Sequence, residues 1–83
     1  MDATNQRSNG YSADVRMQLS INGQVLSIAQ LGPDFIILRD RMDHPPALGE
    51  IAVWIDGHER RWNVHLPDGL QANQNKTRIS YAG

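Results

Sequence analysis

The chain has 83 residues, which is enough for one small domain, and its apolar fraction of 40% favours a folded core over a disordered chain. Its net charge of −1 gives no general attraction to nucleic acid or to anionic membranes, and the absence of cysteine excludes disulfides and thiolate chemistry. We expect a soluble cytoplasmic protein, because the longest apolar run, Phe35–Leu38, is too short to span a membrane and the first residues do not resemble a signal peptide.

The beginning of the chain divides into an arm and a first strand. Residues 1–12 are polar and without periodicity, which predicts a disordered arm, followed by a single β-domain over residues 13–83. Apolar and polar residues alternate from position 15 to position 21, the pattern of a half-buried strand. Asn22-Gly23 then predicts a type I′ hairpin turn, which would place apolar residues opposite each other: Leu19 with Leu26, and Met17 with Ile28.

The middle of the chain contains a third strand and a long connection. A turn at Gly32-Pro33-Asp34 ends the second strand near Leu31, since proline and aspartate fit the central positions of a tight turn. Four consecutive apolar residues, 35–38, predict a third strand that extends to residue 39 and is covered on both faces. A connection rich in Asp, Arg and Pro follows, and the next strand is predicted to begin near Glu50.

A second hairpin is predicted around Asp56-Gly57, again a type I′ signal. The apolar positions 51, 53 and 55 share one face of its first strand, and positions 62, 64 and 66 share one face of its second. A two-residue loop would place Ile51 opposite Trp62, and a four-residue loop would place Val53 opposite Trp62. Because both registers put Trp62 in an apolar row, we predict that Trp62 belongs to the core.

The chain ends with one more predicted strand. Thr77, Ile79 and Tyr81 alternate with polar residues, whereas no segment has a convincing helical period, although residues 70–74 could form one turn. Six short strands with tight turns predict an all-β fold, a small antiparallel six-stranded barrel or roll.

The residue types do not form the pattern of a catalytic or metal site. The sequence has no Gly-x-Ser-x-Gly elbow, phosphate loop or dinucleotide fingerprint. His58 and His65 are seven residues apart and would face opposite sides of one strand. His44 with Asp40 and Asp43 could hold a hard cation, but a solvated acidic loop is the interpretation we favour. We therefore expect a non-enzymatic protein without a metal or a cofactor.

Trp54 is the residue that folding explains least. Because side chains alternate between the two faces of a strand, Trp54 points to the face opposite that of Trp62. It shares this polar face with Arg61 and His65. One interpretation is a recognition patch, in which Trp54 stacks on a partner and Arg61 contacts a phosphate, a carboxylate or an aromatic ring. The other, which we favour, is that the arm, the last strand or an identical subunit covers Trp54.

Arg39 and Arg41 form a second cationic pair at the end of the third strand. They flank Asp40 and are close in sequence to Asp43. An anion site is one interpretation of this pair. Local pairing with one of the two aspartates is the interpretation we favour.

The order of features in the middle of the chain resembles that of a PilZ domain. The segment VLSIAQLGPDFIIL, a Pro-rich loop, and Gly49 followed by EIAVWI have the layout of this family within residues 15–66. The resemblance implies a six-stranded barrel and binding of cyclic di-GMP through Arg-x-x-x-Arg followed by Asp/Asn-x-Ser-x-x-Gly. In this chain Gly32 matches the second motif, Ser27 and Ala29 depart from it, and the arginine motif is missing. The chain is also similar in layout to short uncharacterised bacterial proteins.

Two functions are compatible with these observations. The leading prediction is a small β-domain that mediates protein interaction or self-association, because it carries a large aromatic residue on a polar face. The alternative is a degenerate PilZ-like regulatory domain that binds a cyclic dinucleotide or another small anionic ligand. Without the arginine motif we do not expect a cyclic dinucleotide to bind by the usual groups, and we expect no nucleic-acid or membrane partner. The candidate binding residues are Trp54, Arg61, His65, Arg39 and Arg41.

Overall fold

A computed structural model of the chain describes residues 15–82, which form one antiparallel sheet without a helix. This confirms the predicted all-β antiparallel fold, whereas the predicted arm over residues 1–12 lies outside the described residues. The strands are β1 (Val15–Ile21), β2 (Gln24–Leu31), β3 (Phe35–Leu38), β4 (Ala47–Ile55), β5 (His58–Leu66), β6 (Lys76–Arg78) and β7 (Ser80–Tyr81). Their order in the sheet is β6-β3-β2-β1-β4-β5-β7.

The end of the chain joins the two edges of the sheet. β6 pairs with β3 at one edge, and β7 pairs with β5 at the other. Ile79, between β6 and β7, is buried, and its backbone N–H donates to the carbonyl of Asp34 at 2.9 Å. The sheet is therefore nearly closed into a barrel, as predicted. The predicted last strand is split into β6 and β7, because it changes from one partner strand to the other.

Both predicted hairpin turns are confirmed by their backbone angles. The central residues all have positive φ: 48° at Asn22, 79° at Gly23, 51° at Asp56 and 86° at Gly57. Type I′ turns require this conformation at both central positions. The registers follow from these two-residue loops, and the resulting ladders contain the predicted pairs Leu19–Leu26 and Ile51–Trp62.

The core lies inside the curved sheet and draws on every long strand. Leu19, Ile51 and Val64 are fully buried on the inner faces of β1, β4 and β5. Trp62 lies on the same inner face as these residues, yet its exposed fraction is 38%. The prediction that Trp62 is a core residue is therefore wrong. The complete core cluster is Leu19, Ile21, Ile28, Ile36, Ile51, Val53, Val64, Leu66, Leu70 and Ile79.

Trp62 is exposed because it lies on the part of β5 with which β7 does not pair, at an open edge of the sheet. Near the tip of the β4–β5 hairpin the sheet also loses β2. Pairing between β1 and β2 ends at Gln18 and Ser27, so the predicted Met17–Ile28 pair is not part of this ladder, and β2 has a register shift after Ile28. The start of β1 and the tip of the hairpin therefore extend beyond the rows in which β2 pairs with β1.

The loop before β4 is attached to the turn after β5. The backbones of His44 and Leu70 exchange two hydrogen bonds, of 2.9 and 2.8 Å. The His44 ring lies between the carbonyl of Pro45, 2.7 Å from Nδ1, and the side-chain nitrogen of Asn22, 3.0 Å from Nε2. Since a carbonyl only accepts and an amide nitrogen only donates, we assign the ring proton to Nδ1.

Candidate functional site

Trp54 lies in a cluster on the outer face of β4 and β5. Its cross-strand neighbours are Arg16 on β1 and Glu59 on β5. Arg61 is one row further along the face, with its guanidinium carbon 5.8 Å from the centre of the Trp54 ring. Arg61 Nη1 also donates to Glu50 Oε1 at 2.7 Å, and Arg61 Nε donates to Glu59. We call Glu50, Trp54, Glu59 and Arg61 the outer cluster.

The charges of the outer cluster are balanced internally. The hydrogen bond to Glu59, and then the one to Glu50, raise the pKa of Arg61 above its ordinary value, so this side chain stays cationic. Trp54 is half-buried and has the guanidinium over its ring. A phosphate or carboxylate ligand would have to compete with two carboxylates for Arg61. This geometry suits support of the sheet from outside better than ligand capture.

His65 shares the outer face with this cluster but lies apart from it. It pairs with Leu48, two rows beyond Arg61 along β5. Two rows of one strand face correspond to about 13 Å of strand length. The structure therefore brings Trp54 and Arg61 together as predicted partners and leaves His65 at a distance.

Arg39 and Arg41 lie in the loop after β3, away from the outer cluster. Arg41 donates a hydrogen bond to the side-chain oxygen of Asn75. Asp43 accepts a hydrogen bond of 2.9 Å from the backbone of Ala72. Within residues 15–82, neither arginine forms an ion pair with Asp40 or Asp43. The local pairing that the sequence favoured is therefore not observed. The loop polar groups instead attach this segment to residues 72–75.

The described part of the chain contains no group of three or more His, Asp or Glu side chains that could hold a metal ion. The predicted weak candidate, His44 with Asp40 and Asp43, does not converge. Both ring nitrogens of His44 already have neighbours, and one oxygen of Asp43 accepts from Ala72.

A polar cleft of about 300 Å³ lies where the last strand changes partners, and sequence reasoning did not select it. Lys76 Nζ is 4.6 Å from the centre of the Phe35 ring, and Arg78 Nε is 3.2 Å from Asp68 Oδ2. These residues come from three separate segments, and no sequence motif links them. Both cations of the cleft have a partner within it, which weakens the case for an anion site.

The exposed end of the inner face carries a second candidate surface. Val15 and Ile55 are paired across β1 and β4, with exposed fractions of 49% and 45%. Trp62 is on the same face, and it lines a hollow of about 390 Å³ together with Ile55 and His58, the residues that flank the hairpin turn. We call this surface the tip patch, and its members are Val15, Ile55, His58, Arg60 and Trp62.

The tip patch borders an open edge of β5. A second hollow, of about 520 Å³, lies along this edge between Trp62 and Tyr81. Trp62 thus contributes to both hollows, one on the inner face and one at the edge. A sequence signal for this exposure existed, because His58 and Arg60 occupy the inner-face positions before Trp62. Polar residues there indicate that the apolar row of β5 leaves the core near the turn.

Three comparisons with known proteins give no relative for this chain. No protein-family model matches it, and no curated protein and no solved structure is significantly similar. Residues 15–82 contain no helix that is long and apolar enough to cross a membrane.

Proposed function

We propose that this protein is a non-enzymatic β-domain that mediates protein association through the tip patch. The observation that carries the proposal is the exposure of Val15, Ile55 and Trp62 together on one face, next to an open strand edge. Contiguous exposed apolar side chains are typical of interaction surfaces. Tryptophan beside arginine, here Trp62 and Arg60, is the composition of interface residues that contribute most to binding.

The geometry of the tip patch supports docking of a polypeptide better than binding of a small polar ligand. The inner hollow has a buried floor at Val53 and an apolar wall formed by Ile55 and Trp62. His58 and Arg60 also line it and are exposed, so they can remain solvated while the apolar groups lose water. The outer cluster supports the same hairpin from its other face. Trp54 and Arg61 thus contribute to this function by holding β4 and β5 in register.

The proposal is tested with a photo-crosslinking amino acid at position 55 of the full chain, expressed in its own cells. We expect one defined polypeptide, a second copy or another protein, to be captured from Ile55. The matched control is Leu48, which is on the outer face of the same strand and has an exposed fraction of 69%. If both positions give the same products in the same yield, the tip patch has no special role and the proposal fails.

Substitution of Trp62 tests the same proposal independently. We expect Trp62→Ala in the Ile55 crosslinking chain to abolish the defined product, because the ring forms one wall of the hollow. Circular dichroism establishes that the variant is folded. An undiminished product from a folded variant would show that Trp62 does not anchor the partner.

A further inference from the structure

The outer edge of β5 is unpaired over five residues. β7 pairs only with Val64 and His65, and the backbone N–H of Ala82 donates to the carbonyl of Asn63 at 2.9 Å. Within residues 15–82, no strand pairs with the segment from 58 to 62 on this side. An unpaired edge of this length is a template for a strand of another chain.

The hairpin register determines which backbone groups point outward. The two-residue turn makes Ile55 and His58 a hydrogen-bonded pair, and such pairs alternate with non-hydrogen-bonded pairs along an antiparallel ladder. The backbone groups of Arg60 therefore face β4, whereas those of Glu59 and Arg61 face away from it. The open segment offers two N–H groups and two carbonyls to a partner strand.

The charges of this segment favour one register with a second copy. If the second copy lies antiparallel with the two-fold axis at Arg60, four backbone hydrogen bonds form, and Glu59 of each copy faces Arg61 of the other in addition to the intrachain partners of Arg61. This register also places Arg60 opposite the second copy's Arg60 on the axis, so two opposite-charge pairs accompany one like-charge pair. A shift by one residue would place outward groups opposite inward ones. A shift by two would place Arg61 opposite Arg61 or Glu59 opposite Glu59 and would form no Glu–Arg pair.

The same register extends the exposed apolar row of the tip patch into the second copy. It places the second copy's Trp62 beside His58, so that the tryptophan ring continues the row formed by Val15 and Ile55. Arg60 becomes the diagonal neighbour of the second copy's Trp62, within the range of a cation–π contact. Each copy thus supplies a tryptophan to the exposed row of the other.

We infer that two copies of this chain associate edge to edge through β5, antiparallel, with Glu59 of each copy opposite Arg61 of the other. The inference rests on the proposed function and adds the identity of the partner and the register. A domain of this size buries a smaller fraction of its unfolded-state surface than a larger domain does, and pairing adds to that burial.

Sedimentation velocity of the full chain, between about 10 µM and 1 mM, measures this association. We expect a concentration-dependent dimer, and Glu59→Arg should raise its dissociation constant about tenfold or more, because two attractive contacts become repulsive. The matched control is Glu50→Arg. It makes the same charge change and removes the other carboxylate partner of Arg61, but it is on β4, between β1 and β5.

The double variant Glu59→Arg with Arg61→Glu tests the register, because it restores opposite charges across the axis and should restore the dimer. Circular dichroism establishes that each variant is folded. A wild-type chain that stays monomeric at 1 mM, or equal weakening by Glu59→Arg and Glu50→Arg, overturns the inference. If the chain is monomeric and position 55 still captures a different protein, the self-association is wrong and the proposed function stands. If the chain is monomeric and position 55 captures no protein, both the self-association and the proposed function are wrong.

Discussion

Gly69→Ala is the substitution whose cost the structure defines best. Gly69 has a φ of 63°, in the left-handed region that disfavours a side chain. A Cβ atom at this position would lie 1.9 Å from the carbonyl oxygen of His44 and 2.6 Å from the carbonyl carbon of Pro45. Both are backbone atoms of the loop before β4. That loop must therefore move, since no flexible side chain can give way.

The expected cost follows from what this movement breaks. Ordinary contact begins near 3.4 Å, so the two segments must separate by about 1.5 Å. The hydrogen bonds of 2.9 and 2.8 Å between His44 and Leu70 would then be lost, at about 1 kcal/mol each. The left-handed conformation costs alanine about 1 kcal/mol more. We expect Gly69→Ala to lower the free energy of unfolding by about 3 kcal/mol, or the melting temperature by about 12–24 °C.

Urea unfolding followed by tryptophan fluorescence measures this difference, with Gly57→Ala as the matched control. Gly57 also has a positive φ, 86°, but an added Cβ would have nothing within 4 Å. We expect Gly57→Ala to cost about 1 kcal/mol, from backbone conformation alone. If Gly69→Ala is no more destabilising than Gly57→Ala, the attachment of the loop to the turn does not contribute measurably to stability.

Three further predictions concern the core, the outer cluster and the alternative function. Ile51→Ala should cost about 2–5 kcal/mol in urea unfolding, whereas Leu48→Ala on the same strand should stay within about 0.5 kcal/mol; similar values would contradict the assigned faces. In a Trp62→Phe background, Arg61→Leu should increase acrylamide quenching of Trp54, because the guanidinium no longer covers the ring; unchanged quenching would show that it provides no cover. Calorimetry with millimolar cyclic di-GMP should give no binding heat, since the arginine motif is absent, and a saturable heat would favour the PilZ-like alternative.

The local sequence determined the two hairpins and their registers. Asn22-Gly23 and Asp56-Gly57 are the residue pairs that accept positive φ at both central positions, and a two-residue loop leaves one register for the strands that it joins. The alternation of apolar and polar residues then assigned each side chain to a face. These features depend on neighbours in the chain, which is why they could be predicted without the fold. The pairing of Trp54 with Arg61 on the outer face belongs to this group.

Only the tertiary structure decided which part of each inner face is covered. Ile51 and Trp62 are direct cross-strand partners of the same parity, yet Ile51 is fully buried and Trp62 is 38% exposed. The difference comes from the place of each residue in the sheet: Ile51 lies between β1 and β5, whereas Trp62 lies on the segment of β5 that β7 leaves unpaired. The alternation of side chains along a strand determines on which face of the sheet a residue lies. Burial requires another part of the chain to lie opposite that side, and this depends on contacts between residues far apart in the sequence.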